Sequence, residues 1–296
     1  MSKIKNRILK FYLAVIAGIV ILAVFLFLAL QPRNLAVYFL AVGQGDATLI
    51  ITPDRHNILV DGGPDNEVIY GLGKYLPFYD RKIDLMVLTH PHADHVVGLI
   101  EVLKRYQVKK ILITDVTSQL FEYQLFLNLA RQNKIEIEIL NRRGIMPLGS
   151  KTNFFILFPE TSLKTEKIKN LNDSSIVLKL VYGQTAVLLP GDLEIEEDLV
   201  RENLDLRAEI LKVGHHGSGN ANNPLFLQAV KPIYAVIPCG LDNKFGLPQQ
   251  KTIDELQSIG AKIFRTDFDG DLYFYSTGQQ FYFEKITPLK KIRNLL

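Results

Sequence analysis

The apolar positions along the chain change their period several times, and each change marks an element. Residues 11–30 are twenty positions without a charge or a proline, long enough to cross a bilayer as a helix. Apolar runs at 37–42, 47–52 and 57–61 read as strands, with Gly43-Gln44-Gly45 as a tight turn between the first two. Residues 83–88 form a further apolar run, read as a buried strand, and residues 96–103 return to a helical pattern that reaches about position 107. Strands are expected at 110–113, 135–140, 153–158, 176–181, 185–189, 210–213, 234–237 and 262–265. Helices are expected near 118–132, 193–202, 222–230 and 252–258, and a closing hairpin at 272–284. The stretch Ile135-Glu136-Ile137-Glu138-Ile139 alternates with period two, so one face of that strand is wet. Glu194, Glu196, Glu197 and Asp198 read as the solvated face of a helix. His56 reads as a solvated turn residue, and the polar segment 160–171, with Lys164, Lys167 and Lys169, as an exposed loop or the rim of a cleft.

Composition narrows this picture. The chain has 296 residues and one cysteine, Cys239, which rules out an intrachain disulfide partner and any cysteine-rich zinc site. The formal charge is +3, but eight of the 34 basic residues lie at the two ends: Lys3, Lys5, Arg7, Lys10, Lys285, Lys290, Lys291 and Arg293. The 26 that remain face 31 acidic residues, so positions 11–284 carry −5. A nucleic-acid binder usually shows a basic face, and bulk charge gives no sign of one. Four basic residues precede the apolar segment 11–30 and only Arg33 follows closely. No small-x-small cleavage pattern follows either, so an uncleaved anchor is favoured over a signal peptide or a buried helix. The positive-inside rule then places residues 1–10 as a cytoplasmic basic tail and residues 31–285 outside the cell membrane, with 286–296 as a basic C-terminal tail.

The chemistry concentrates in Thr89-His90-Pro91-His92-Ala93-Asp94-His95, three of the chain's six histidines and one aspartate on a strand-to-helix turn. Two more histidines lie in Gly214-His215-His216-Gly217. His90 and His92 can aim at one cation, Asp94 and His95 at a second, and imidazole with carboxylate suits Zn, Mn or Fe rather than Ca or Mg. Gly43 and Gly45 read as a hairpin turn rather than a phosphate cradle, since no Gly-Lys-Ser follows.

These residues resemble the metallo-β-lactamase superfamily, whose signature is His-x-His-x-Asp-His. Within it the chain is similar to the C-terminal hydrolase domain of ComEC-type DNA-uptake proteins. The segments that carry the likeness are Phe39-Leu40-Ala41-Val42-Gly43-Gln44-Gly45-Asp46-Ala47, Leu59-Val60-Asp61-Gly62-Gly63, Leu189-Pro190-Gly191-Asp192 and Leu211-Lys212-Val213-Gly214-His215-His216-Gly217-Ser218. Arg265-Thr266-Asp267-Phe268-Asp269-Gly270 adds a weaker one. The resemblance implies a four-layer αββα sandwich of class α/β, preceded by one transmembrane helix, and a centre of two divalent cations, Zn or Mn. Its ligands would be His90, His92, Asp94, His95, Asp192 and one of His215 and His216. His215 is taken as the ligand, while Asp94, Asp192 and His216 serve the chemistry and Asp192 bridges. Asp61, Asn172 and Ser218 would support the ligands. Asp61 reads equally as a strand-end turn residue, and Asp192 alternatively as a helix N-cap. The chain departs from the family pattern at Ala41, where an aspartate is usual, and at Leu247, where a histidine is usual.

The implied function is a membrane-anchored, binuclear hydrolase, a phosphodiesterase or nuclease acting on DNA, with a separate channel protein as partner, because the chain has one span only. Two rivals stand beside it: a hydrolase of another ester (choline-phosphate, a cell-wall phosphodiester or a lactone), and a metal-binding scaffold without turnover.

Overall fold

The structure is a computed structural model that describes residues 2–30, 33–165 and 168–285. Lys167 and the expected tail 286–296 lie outside the described residues. The chain divides into two units, Met1–Arg33 and Asn34–Leu296. The first is helix α1 (Ser2–Leu30), whose segment Asn6–Ala23 is long and apolar enough to cross a membrane by length and composition.

The second unit opens with strands β1 (Leu35–Phe39), β2 (Thr48–Ile51) and β3 (Asn57–Val60), then helix α2 (Glu67–Tyr75) and strands β4 (Lys82–Ile83) and β5 (Leu85–Val87). Helix α3 (Ala93–Arg105), β6 (Gln107–Val108), β7 (Lys110–Thr114), α4 (Phe121–Gln132) and β8 (Glu136–Leu140) complete its first half. The second half runs β9 (Gly144–Gly149), β10 (Thr152–Phe158), β11 (Val177–Tyr182), β12 (Thr185–Leu189), α5 (Glu196–Arg201), β13 (Ile210–Lys212), α6 (Pro224–Val230) and β14 (Tyr234–Ile237). It ends with α7 (Gln250–Ser258), β15 (Lys262–Arg265), α8 (Thr266–Asp269), β16 (Leu272–Ser276) and β17 (Phe281–Glu284). One sheet has the order β17-β16-β1-β2-β3-β5-β7-β8, a second the order β15-β14-β13-β12-β11-β10-β9, and β4 pairs with β6.

Side-chain alternation explains the layering. In β1, Leu35, Val37 and Phe39 enter one apolar cluster together with Phe154, Leu178, Val187, Ile210 and Val236 of the second sheet. Tyr38 points the other way, into a cluster shared with Leu72 of α2, Leu99 of α3 and Phe126 of α4. The second sheet's outer face, with Leu188, Leu211 and Ala235, packs on Leu199 of α5, Phe226 of α6 and Leu256 of α7. A strand that is apolar on both faces must be covered on both, and the result is helices, sheet, sheet, helices: the four-layer sandwich expected.

Two glycines set how close the layers come. A Cβ on Gly98 in α3 would run into the Gly62 carbonyl, and one on Gly45 into the Asp94 carbonyl. Both contacts bring the start of α3 hard against strand-end turns. Three sequence expectations are corrected. The helix expected from 193 begins at Glu196, with Ile195 as its N-cap, so Asp192 caps nothing. Glu196 is fully buried rather than solvated. His56 is half-buried, and its Nδ1 lies 2.7 Å from the Leu148 carbonyl oxygen.

Candidate metal centre

The cluster forms where several strands end. The loop between β5 and α3 delivers His90 and His92, and the first turn of α3 delivers Asp94 and His95; the turn after β12 delivers Asp192; the turn after β13 delivers His215 and His216. Asp94, His95, Asp192 and His216 place one donor atom each within 4.8 Å of one another, and a second group joins Asp46 and Asp61 to His95. His95 Nε2 lies 3.2 Å from Asp192 Oδ2. His216 Nε2 lies 3.2 Å from Asp94 Oδ2 and 3.3 Å from Asp192 Oδ2.

The tautomers follow from what each ring's other nitrogen meets. His216 Nδ1 is 3.0 Å from the Pro238 carbonyl oxygen, which can only accept, so Nδ1 carries a proton. His95 Nδ1 is 2.9 Å from Asp61 Oδ2 and donates to it. In the neutral ring each Nε2 is then a lone pair aimed at a carboxylate oxygen. That repulsion is relieved only by a proton or by a cation at the meeting point. Burial lowers the affinity of both rings for a proton, but Asp192 with Asp61 and Asp94 holds His95 well above the usual histidine pKa, and Asp192 with Asp46 does the same for His216. Burial pushes the Asp192 carboxyl up, yet Lys212, His216 and His95 together hold it well below the usual carboxylate range. This donor set fits a divalent cation.

Asp61, at the end of β3 with φ 57°, accepts from Thr89 N at 2.8 Å and from Thr89 Oγ1 at 2.8 Å as well as from His95. Since the Thr89 hydroxyl proton goes to Asp61, the 3.1 Å contact between Thr89 Oγ1 and His90 Nδ1 has the ring donating. His90 Nε2 is left as a lone pair, 3.0 Å from His92 Nδ1. The His90 and His95 ring centroids are 4.2 Å apart, so the His90–His92 pair adjoins the four-group cluster. Burial drives the His90 pKa well below its usual value, and the neighbouring His95 adds to this.

It is His216, not His215, that meets Asp94 and Asp192. His215 turns aside: its Nδ1 is 2.7 Å from Glu194 Oε1, and Asn172 Nδ2 lies 3.4 Å from both its ring nitrogens. Asn172 donates to Glu194 Oε1 at 3.3 Å, while its own Oδ1 is buried without a hydrogen-bond partner. Ser218 meets none of the four groups: its N donates to the His215 carbonyl, its Oγ accepts from Asn220 N, and its carbonyl accepts from Thr252 Oγ1 of α7 at 3.2 Å.

Sequence reasoning assigned no role to four residues here. Glu194 orients His215, although it read as a solvated helix face. Lys212 bonds Gly191 O at 2.8 Å and Asp192 Oδ1 at 3.0 Å, and pairs with Asp46. The signal was present: a lysine inside a central parallel strand breaks the continuous apolar run such strands show. Asn222 brackets Gly214, its Oδ1 accepting from Gly214 N at 2.7 Å and its Nδ2 donating to Gly214 O at 2.9 Å. Of the two family departures, Ala41 N donates to Asp271 Oδ1 at 2.9 Å, and Leu247 N to Asn243 Oδ1 at 3.1 Å.

The family model described as the metallo-beta-lactamase superfamily matches residues 40–240. ComE operon protein 3 of Bacillus subtilis (strain 168) is 29% identical over 252 residues, which cover 79% of this chain and 32% of that protein. Competence protein ComA of Neisseria gonorrhoeae is 29% identical over 252 residues, covering 83% of this chain and 33% of that protein. The chain thus spans about a third of the length of these relatives. Among solved structures, the metallo-beta-lactamase fold protein YhfI from Bacillus subtilis superposes with a TM-score of 0.56 at 12% identity, covering 82% of this chain and 100% of that one.

Proposed function

The chain belongs to the metallo-beta-lactamase superfamily, and from that premise we propose that it is a metal-dependent hydrolase acting on phosphodiesters, as a nuclease does on DNA. The observation that carries the reading is the meeting of Asp94, His95, Asp192 and His216, with His95 Nε2 3.2 Å from Asp192 Oδ2 and His216 Nε2 3.2 Å from Asp94 Oδ2 and 3.3 Å from Asp192 Oδ2. His90 and His92 extend this donor set toward a second cation beside the first. Zn fits the imidazole-carboxylate set, and the carboxylate share leaves Mn equally suited. When bound, the cations supply Lewis-acid activation of water and of the bond attacked.

The chain's own residues do the positioning. Asp61 and the Pro238 carbonyl fix the His95 and His216 tautomers, as partners behind a metal-ligating histidine do. The Asp94 side chain keeps 34% exposure and the His215 side chain 27%, while His95, Asp192 and His216 are sealed. Asp94 and His215 therefore form the side from which substrate arrives, with Glu194 orienting His215.

The choice of phosphodiester and DNA draws on the likeness to a competence protein. That relative is about three times as long as the matched region. Residues 11–30 anchor the domain, with the N-terminus cytoplasmic and the catalytic unit outside. The test is turnover of bis-p-nitrophenyl phosphate and of single-stranded DNA by the protein reconstituted with Zn or Mn. Cleavage of both that disappears in Asp192→Asn upholds the reading; no cleavage of either with metal bound ends it. A second reading, hydrolysis of a small ester, draws on the net −5 of residues 11–284; it expects turnover of the small phosphodiester and none of DNA.

A further inference from the structure

Two charged residues of the shared motifs, Asp46 and Lys212, belong neither to the four-group cluster nor to its exposed side. Lys212 is 2% exposed and Asp46 4%. The Lys212 ammonium is held by Asp46, by Asp192 Oδ1 at 3.0 Å and by the Gly191 carbonyl at 2.8 Å. The other oxygen of Asp46 lies 3.3 Å from His216 Nδ1. Asp192 is thus divided: Oδ1 faces a fixed cation of the protein, and Oδ2 faces His95 and His216.

We propose that Lys212 is a built-in counter-cation that competes with the metal for Asp192, and that Asp46 sets the strength of this competition by drawing the ammonium toward itself. The two residues form a positioning pair that tunes metal affinity. The physical basis is that an ammonium 3.0 Å from one carboxylate oxygen reduces the charge the other can offer, and in a buried site this effect is weakly screened. Lys212 also confines Asp192 to a single donor oxygen. Asp46 works in the opposite sense: removing its charge leaves Lys212 with Asp192 alone, and the competition tightens. The inference rests on the metal-centre reading given above.

The two residues therefore make opposite predictions, which a merely structural role does not. The experiment is a titration of Zn and of Mn into chelator-stripped full-length protein, read by competition with a chromogenic chelator and by the metal-induced rise in melting temperature. Lys212→Met is expected to bind metal at least about tenfold more tightly than wild type, the size of change that partners behind ligands produce, although its metal-free form melts lower. Asp46→Asn is expected to bind about tenfold more weakly, and the double variant, which has no ammonium left to compete, to bind about tenfold more tightly than wild type, as Lys212→Met does. A Lys212→Met protein that binds more weakly, or an Asp46→Asn protein that binds as tightly as wild type, overturns the proposal. If Lys212→Met does not fold, Asp46→Asn and the double variant carry the test unchanged. A wild-type protein that binds no metal removes the metal-centre reading itself, a result distinct from either failure.

Discussion

The loop after β5 and the loop after β13 each give one imidazole to the same four groups, yet their backbones are built differently. The first runs through extended conformation at His92, φ −100° and ψ 154°, into the regular helix α3. Its histidines are spaced by sequence, and its position is set by the close approach of Gly98 to Gly62. The second holds two successive non-glycine residues in left-handed conformation, His215 at φ 45° and His216 at φ 52°. Such residues cost on the order of 1–3 kcal/mol each and persist only where the surroundings enforce them. Here the enforcement is visible: Asn222, itself at φ 63°, grips both polar backbone groups of Gly214. Glu196 accepts from Asn222 N at 2.8 Å. A spaced motif on a helix start needs little help, whereas a strained pair needs a buried bracket.

The largest expected effects test whether the two loops truly meet. His95→Ala and His216→Ala should each lower metal affinity at least about a hundredfold, beyond the 10–100-fold typical of residues that only support a ligand. His215→Ala should leave metal binding nearly unchanged while lowering turnover. Measured dissociation constants check both, and a His215→Ala loss equal to that of His216→Ala would erase the difference drawn between the two rings.

Next in size is the bracket. Asn222→Ala leaves Gly214 N and O buried without partners, a cost of about 1–3 kcal/mol, and it should weaken metal binding as the His216 backbone relaxes. Denaturant unfolding and metal titration on one sample separate the two effects.

The smallest effect, read per unit of pH, is a pH dependence. Burial pushes the Glu196 carboxyl up to about 8. In the unfolded chain it ionises near the ordinary value of about 4.3, so between these limits the folded state holds a proton that the unfolded state has lost. Stability therefore falls as pH rises from near 4.5 to near 8, by at most about 1.4 kcal/mol per pH unit from this group. Glu196→Gln, which keeps an acceptor for Asn222 N, should flatten that part of the stability curve; an unchanged slope would contradict the burial argument.

The first loop was legible because its ligands are contiguous and sit between an apolar run and a helical period. The second was legible only as a pair, since nothing local says which ring a strained backbone turns inward. Most strands were readable from apolar runs, but β9 carries Pro147 and exposed side chains at a sheet edge, where a proline is tolerated and no alternation is required. Helix α2 was missed because Gly71 and Gly73 weaken its pattern. Gly71 is needed where a Cβ would press on the Leu40 side chain. Glu194 and Glu196 were misread because the helix was expected three residues too early; with the start at Glu196, Glu194 belongs to the turn that leads from Asp192 and Glu196 opens α5.

The most direct test is the metal content of the purified wild-type protein and of His216→Ala after equilibrium dialysis against Zn or Mn. The account expects at least one cation retained per wild-type chain, and retention lost in the variant. A wild-type chain that emerges without a stoichiometric cation, or a variant that keeps it as firmly, would contradict the claim that these four side chains form one centre.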